Sequence, residues 1–343
     1  MRKLNLSIKI EKICRMMRKR TDKHAGLKSL AFALIILAGF ELTLTILESN
    51  NQLEEPYDWR NRLDIGYKIN QCIQLFKENP EKIKVLVIGD SRVQQALWSR
   101  KFDSYFNNRT ITYNLAFPAT GTLFQSYLLR YVGLPKMKPD VLIWDFSHTD
   151  VENTTFQINE NSVIFGLPAS RYYFDYTCNI TLNEAIDYFL MKTFRIYRYR
   201  TLFYYNQIVD LALNLFENGF LFNNGTYHDT HTQLYNVTTF SPDLPTLTEI
   251  NETRRCLIEK NILHLVISPP HNYARFVNVA IQQIYNQFGQ QYFLDLNGNE
   301  SLTPDVLYYN EGHLNPAGAE IYTRFVCEKL NASINALIAL KGK

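Results

Sequence analysis

Four short, mostly apolar, β-branched-rich runs punctuate the chain, at 83–88 (IKVLVI), 111–115 (ITYNL), 141–146 (VLIWDF) and 262–267 (ILHLVI). Continuous rather than alternating hydrophobicity is the mark of strands covered on both faces. Apolar residues at helical spacing fill 92–106, 122–132, 245–260, 273–288 and 316–337. Strands that alternate with helices imply right-handed crossovers and an α/β fold, a mostly parallel sheet with helices on both faces. In such sheets the site lies beyond the carboxyl ends of the strands. Ser91, the loop 114–121, the loop 147–150 and the loop 268–271 all fall there.

A different pattern precedes the first strand. Residues 29–47 (SLAFALIILAGFELTLTIL) hold one charge in 19 positions, near the lower limit for crossing roughly 30 Å of hydrocarbon. That charge, Glu41, lies past the middle; an acidic group at the centre of such a helix costs about 2.5–3.5 kcal/mol on insertion scales. Residues 48–80 read as a polar stalk followed by an amphipathic helix at 65–76 that ends before Pro80. Residues 151–244 interrupt the alternation and read as a helical, aromatic-rich insertion, carrying 19 of the 47 aromatic residues between Phe165 and Phe240. Aromatic density suits sugar rings or acyl chains, and equally the filling of a small core.

Charge separates along the same boundary. Residues 1–28 carry ten Lys/Arg against two Asp/Glu, leaving 26 against 31 for the rest of the 343 residues. Basic residues on one side of the apolar run place the N-terminus in the cytoplasm and the large C-terminal part outside it, as in a single-pass type II signal anchor. An exported part of net acidic charge with scattered basic residues argues against nucleic acid. In the exported part, eight Asn-X-Ser/Thr triplets, beginning at Asn108, Asn153, Asn179, Asn224, Asn236, Asn251, Asn299 and Asn331, fit either lumenal glycosylation or an Asn-rich, AT-biased composition. The five cysteines show no metal-type spacing and read by default as buried thiols, with a bridge of undetermined pairing the alternative among the four exported ones. His228, Asp229 and His231 are close together but lie in an Asn/Gly/Thr-rich loop. Nothing in the chain calls for a metal or cofactor.

The chemistry concentrates at two turns. Gly89-Asp90-Ser91-Arg92 follows the first strand and opens a helix, which puts a serine hydroxyl at the strand end beside unpaired helix N–H groups. More than 200 residues later, Gly312-His313-Leu314-Asn315-Pro316-Ala317-Gly318 delivers a histidine to the start of another helix. A free serine hydroxyl is a poor nucleophile, and a histidine within hydrogen-bond reach is what activates it. Arg92 reads as an exposed first-turn residue, or as a group for an anionic or sugar substituent. His264 reads as a satisfied core histidine. His148 and His271, at strand ends with Asn114, Asp150 and Glu311, are candidates to line a pocket.

The two turns together resemble the SGNH (GDSL-like) hydrolase superfamily, over about residues 82–340. The anchored layout and the run Tyr113-Asn114-Leu115-Ala116-Phe117-Pro118-Ala119-Thr120-Gly121 are similar to membrane-attached members linked to polysaccharide O-acylation. The resemblance implies a flavodoxin-like three-layer fold, Ser91 as nucleophile and His313 as general base. It also implies an oxyanion hole from the Ser91 N–H, Gly121 and the third-block position Thr149. The chain departs from the family pattern twice. Thr149, in Ser147-His148-Thr149-Asp150, stands where the family has an asparagine, and loss of one oxyanion donor costs about 10²–10³-fold. Asn310 stands where the family has the aspartate that orients the histidine; in serine proteases that exchange costs about 10⁴-fold through the wrong imidazole tautomer. Three outcomes are open: a backbone carbonyl orients His313 in a Ser-His dyad, Glu311 or Asp305 substitutes, or the site binds without turnover.

The leading expectation is an exported, membrane-tethered serine esterase or O-acyltransferase acting through an acyl-serine on an acylated sugar or related ester. The alternatives are a non-catalytic module that binds a glycan or a membrane-bound acyltransferase, and a lipid-directed esterase.

Overall fold

The computed structural model describes residues 26–47, 49–50, 63–118, 120–145, 244–310 apart from 273 and 278, and 312–342, with shorter pieces at 186, 189–190, 193–198, 216–218, 220–221, 225–226 and 235–239. Residues 1–25 of the basic tail, the loop 147–150 and Glu311 lie outside the described residues.

The apolar run forms one helix, α1 (Gly26–Leu47), with a mean hydropathy of 2.3 in its most apolar window. It is long and apolar enough to cross a membrane. Helix α2 (Leu63–Glu78) buries Ile69, Cys72 and Phe76, three positions that share one face at helical spacing. It leads into β1 (Ile83–Ile88), the centre of the main sheet. Strands β2 (Thr110–Asn114) and β3 (Val141–Asp145) pair with β1 on either side, and all three run parallel.

Downstream come β4 (Phe216–Glu217) and β5 (Phe220–Leu221), an antiparallel pair, then β6 (Tyr235–Thr239). Strand β7 (Leu263–Ser268) joins β3, and β9 (Phe293–Asp295) joins β7. Between these two, β8 (Ala274–Val277) pairs with β6 outside the main sheet. The sheet order is β2-β1-β3-β7-β9. Because chain progression reverses direction at β1, the carboxyl ends of β1 and β3 form the crevice where doubly wound sheets place their sites.

Alternate residues of β1 enter two separate cores. Ile83, Val85 and Val87 pack with Val93, Leu97, Phe102, Tyr322 and Val326. Leu86 and Ile88 pack with Ile69, Phe76, Leu128, Trp144 and Tyr285. Helices therefore cover both faces of the sheet, and each fully buried aliphatic side chain contributes roughly 1.5–3 kcal/mol.

Several expected helices differ. The single helix at 92–106 is two, α3 (Ser91–Ala96) and α4 (Ser99–Tyr105). Leu97 and Trp98 between them are extended. The break is set from far away, since the Trp98 N–H donates to Thr323 Oγ1 at 2.9 Å and its ring stacks on Phe220. The helix expected at 122–132 is α5 (Thr122–Leu128), continued as π-helical turns through Leu129–Met137. The helix expected at 273–288 is strand β8 followed by a shorter helix, Val279–Phe288, because the backbone of 274–277 finds a partner in β6. The described residues of the insertion are likewise not all helical, since they include β4, β5 and β6.

Candidate active site

The turn after β1 is shaped by two side-chain facts. A Cβ on Gly89 would sit 2.2 Å from Val93 Cγ1 and 3.1 Å from Asp145, so only glycine lets α3 fold this closely over the strand end. Asp90 caps the helix, its Oδ1 accepting from the Arg92 N–H at 2.8 Å. Its other oxygen accepts from Arg92 Nε and Nη2 at 2.8 and 2.7 Å. Arg92 is therefore not the exposed residue expected of a first turn: the Arg92 and Asp90 side chains are each 12 % exposed and face one another. Ser91 begins α3 and is half-buried.

His313 arrives from a small antiparallel hairpin, β10 (Tyr308–Asn310) with β11 (His313–Leu314). The Asn-Pro-Ala-Gly sequence after it starts a helix. Asn315 caps the long helix Pro316–Lys341, its Oδ1 accepting from the Ala317 and Gly318 N–H groups, and Pro316 sits in the first turn, where no N–H is needed. A Cβ on Gly318 would fall 2.3 Å from the Leu307 carbonyl. The Asn315 amide also donates to the Val306 carbonyl at 2.7 Å and to the Tyr308 carbonyl at 3.4 Å, tying the helix to the start of the hairpin and the turn before it.

This scaffold puts His313 Nε2 at 2.7 Å from Ser91 Oγ, across 222 residues of sequence. On the other side of the ring, His313 Nδ1 is 2.7 Å from Asn310 Oδ1. The same oxygen accepts from the N–H groups of Gly312 (3.2 Å) and His313 (3.1 Å). Two backbone donors require an acceptor, so they fix the amide with its oxygen, not its nitrogen, toward the ring. The ring proton then belongs on Nδ1, leaving the Nε2 lone pair for the serine proton. Asn310 itself thus holds the place at Nδ1 for which a backbone carbonyl, Glu311 and Asp305 were the candidates. Asp305 accepts from Asn272 at 3.5 Å instead. Burial lowers the His313 pKa below its ordinary 6.5; Asp90 opposes the shift and Arg92 adds to it. A neutral imidazole is the form that acts as a base.

The loop from β2 to α5 is stitched to the serine turn, because the Gly89 carbonyl accepts from the Phe117 N–H (3.1 Å) and Thr120 Oγ1 (3.2 Å). Gly121 is the N-cap of α5. Asn114 is fully buried and does not line a pocket: its amide donates to the Val93 and Leu97 carbonyls and braces α3. His271 borders the site, with Nε2 and Arg92 Cδ 3.6 and 3.9 Å from where a Gly312 Cβ would lie. His148, Thr149, Asp150 and Glu311 lie outside the described residues. His264 is a core residue as read from sequence, stacked on Tyr292, with burial lowering its pKa.

Two contributors are not apparent from sequence. Lys68 is fully buried and donates to the Ala116 carbonyl at 2.7 Å, its ammonium 5.0 Å above the Phe117 ring. The signal was its place on the apolar face of α2, one residue before Ile69. Gln94 reaches the same carbonyl at 3.2 Å. The chain matches no protein-family model and no curated protein.

Proposed function

We propose that this protein is a membrane-tethered serine esterase or O-acyltransferase of the SGNH type, with the three-layer arrangement of that fold and its catalytic part outside the cytoplasm. The observation that carries the reading is the chain Ser91 Oγ, His313 Nε2, His313 Nδ1, Asn310 Oδ1, with 2.7 Å at each hydrogen bond. In this reading Ser91 attacks an ester carbonyl while His313 takes its proton, and the tetrahedral oxyanion forms beside the Ser91 and Gly121 N–H groups. His313 then gives the proton to the departing alcohol, leaving an acyl-Ser91. Water or a sugar hydroxyl attacks that ester, its proton passing to His313 and from there to Ser91 Oγ as the acyl–oxygen bond breaks, and Ser91 and neutral His313 are restored. Hydrolysis and transfer share every residue and differ only in the acceptor. An acylated carbohydrate is the substrate that best fits the resemblance. Asn310 in contact with His313 favours turnover over a module that only binds a glycan or an acyltransferase partner.

The test is hydrolysis of a chromogenic acetyl ester by the full-length protein in detergent, together with labelling by a serine-directed fluorophosphonate. Turnover and labelling are both expected to vanish in Ser91→Ala and to fall steeply in His313→Ala. Equal turnover by Ser91→Ala and the parent protein would sink the proposal.

A further inference from the structure

Glu41 sits in the second half of α1 and is not left facing lipid. Its Oε1 accepts from the Arg195 backbone N–H at 2.7 Å and its Oε2 from the Ile196 N–H at 3.0 Å, with the Arg195 guanidinium 3.6 Å from Oε1. Those two N–H groups open the short helix Arg195–Arg198, so a carboxylate inside the apolar run both caps that helix and pairs with its first residue. Burial along α1 agrees. Leu44, one turn beyond Glu41 on the same face, is 5 % exposed, whereas Leu34 is 57 % and Leu42 is 62 % exposed.

Glu41 lies six residues before the end of α1, which is about 9 Å along a helix axis. Arg195 and Ile196 therefore meet α1 inside its outer end rather than beyond it. The described residues leading into that contact leave large apolar side chains uncovered: Ile186 is 49 %, Phe189 61 % and Phe194 45 % exposed. The sequence from 186 to 200 (IDYFLMKTFRIYRYR) interleaves them with Tyr, Lys and Arg. Aromatic and basic residues mixed with apolar ones are what partitions to the boundary between headgroups and acyl chains.

We infer that Ile186, Phe189 and Phe194, with the short helix Arg195–Arg198, form a lipid-facing surface held in the outer interface of the bilayer by Glu41. The inference rests on the membrane-spanning reading of α1. It gives the insertion a partner, the bilayer surface, and gives Glu41 a role, since an ionisable group in a spanning helix must pair inward. Backbone N–H groups at that depth also need an internal acceptor, which the carboxylate supplies.

The test uses the full-length protein in nanodiscs containing brominated lipid, with bimane attached at Phe189→Cys, Leu34→Cys or Lys101→Cys and the unsubstituted protein as labelling background. Most of the fluorescence at Phe189 and Leu34 is expected to be quenched, and that at Lys101 retained. In a Glu41→Leu background, quenching at Phe189 is expected to be lost and quenching at Leu34 kept. An unquenched Phe189 beside a quenched Leu34 would overturn this inference and leave the anchor standing. Absence of quenching at both would overturn the anchor and the inference with it. Quenching at Phe189 that survives Glu41→Leu would overturn the docking role of Glu41.

Discussion

Asn310 Oδ1 lies 2.7 Å from His313 Nδ1 while also accepting the backbone N–H groups of Gly312 and His313. An amide in place of a carboxylate ordinarily leaves the orientation of the imidazole ambiguous, because the amide can present either end. Here the hairpin's own backbone decides the matter, and the histidine receives an acceptor at Nδ1. What the amide lacks is the negative charge that would stabilise an imidazolium.

Separating those two effects gives the first prediction. Asn310→Leu removes the acceptor and is expected to lower kcat/KM for a chromogenic ester by about 10²–10⁴-fold. Asn310→Asp keeps the acceptor, adds charge, and is expected to retain or raise activity. It should also move the acidic limb of the pH–rate profile upward, because a neighbouring carboxylate favours the charged ring.

His313 is held below its ordinary pKa, first by burial. The neutral, competent base should therefore persist as pH falls through 6.5, and kcat/KM should decline only below that value. A pH–rate profile of the parent protein checks this. A limb centred above 6.5 would contradict the burial argument.

Asp103 makes the opposite contribution to stability. Burial raises its pKa from 3.8 to about 6, against hydrogen bonds from Thr112 and Thr110 that hold it down. The protonated form is favoured in the folded state, so its stabilisation is complete below pH 3.8 and is lost as pH rises through about 6. A shift of that size is worth on the order of 3 kcal/mol. Relative to the parent, Asp103→Asn should be more stable at neutral pH than at mildly acid pH, in denaturant titrations at the two values.

Gly89 and Gly312 should respond differently to alanine. At Gly89 the new Cβ meets Val93 Cγ1 at 2.2 Å, whereas at Gly312 nothing lies nearer than 3.6 Å. Gly89→Ala is expected to cost about 1–3 kcal/mol through overpacking and to lose phosphonate labelling of Ser91. Gly312→Ala should unfold at the parent's midpoint.

Lys68→Met fills similar volume but leaves the Ala116 carbonyl without its charged donor. Hydrogen bonds to charged groups contribute about 1.5–3 kcal/mol, and this one anchors the loop that carries Gly121. Lower thermal stability is expected, together with a fall in kcat larger than any change in KM.

Much of the site was legible from sequence because it is built by local chemistry. The strand at 83–88, the Gly-Asp-Ser turn, the serine at a helix start and the Asn-Pro cap after His313 each depend on neighbours within a few residues. Periodicity, capping and glycine sterics encode such features directly. The apolar run at 29–47 was equally plain, since length and hydropathy alone define it, and the helix begins three residues earlier, at Gly26.

Other features depended on partners that no local pattern names. The break at Leu97 and Trp98 comes from Thr323 and Phe220, and the strand at 274–277 from the backbone of 235–239. The place of Lys68 over the Ala116 carbonyl spans 48 residues, and Glu41 finds its partners more than 150 residues away. Asn310 shows the division within one residue. Its presence three positions before His313 was a fact of sequence, and read alone it predicted a weakened base. Only the folded hairpin, by aiming two N–H groups at one amide oxygen, decided which way that amide faces the ring, because hydrogen-bond direction is set by the groups that converge in space.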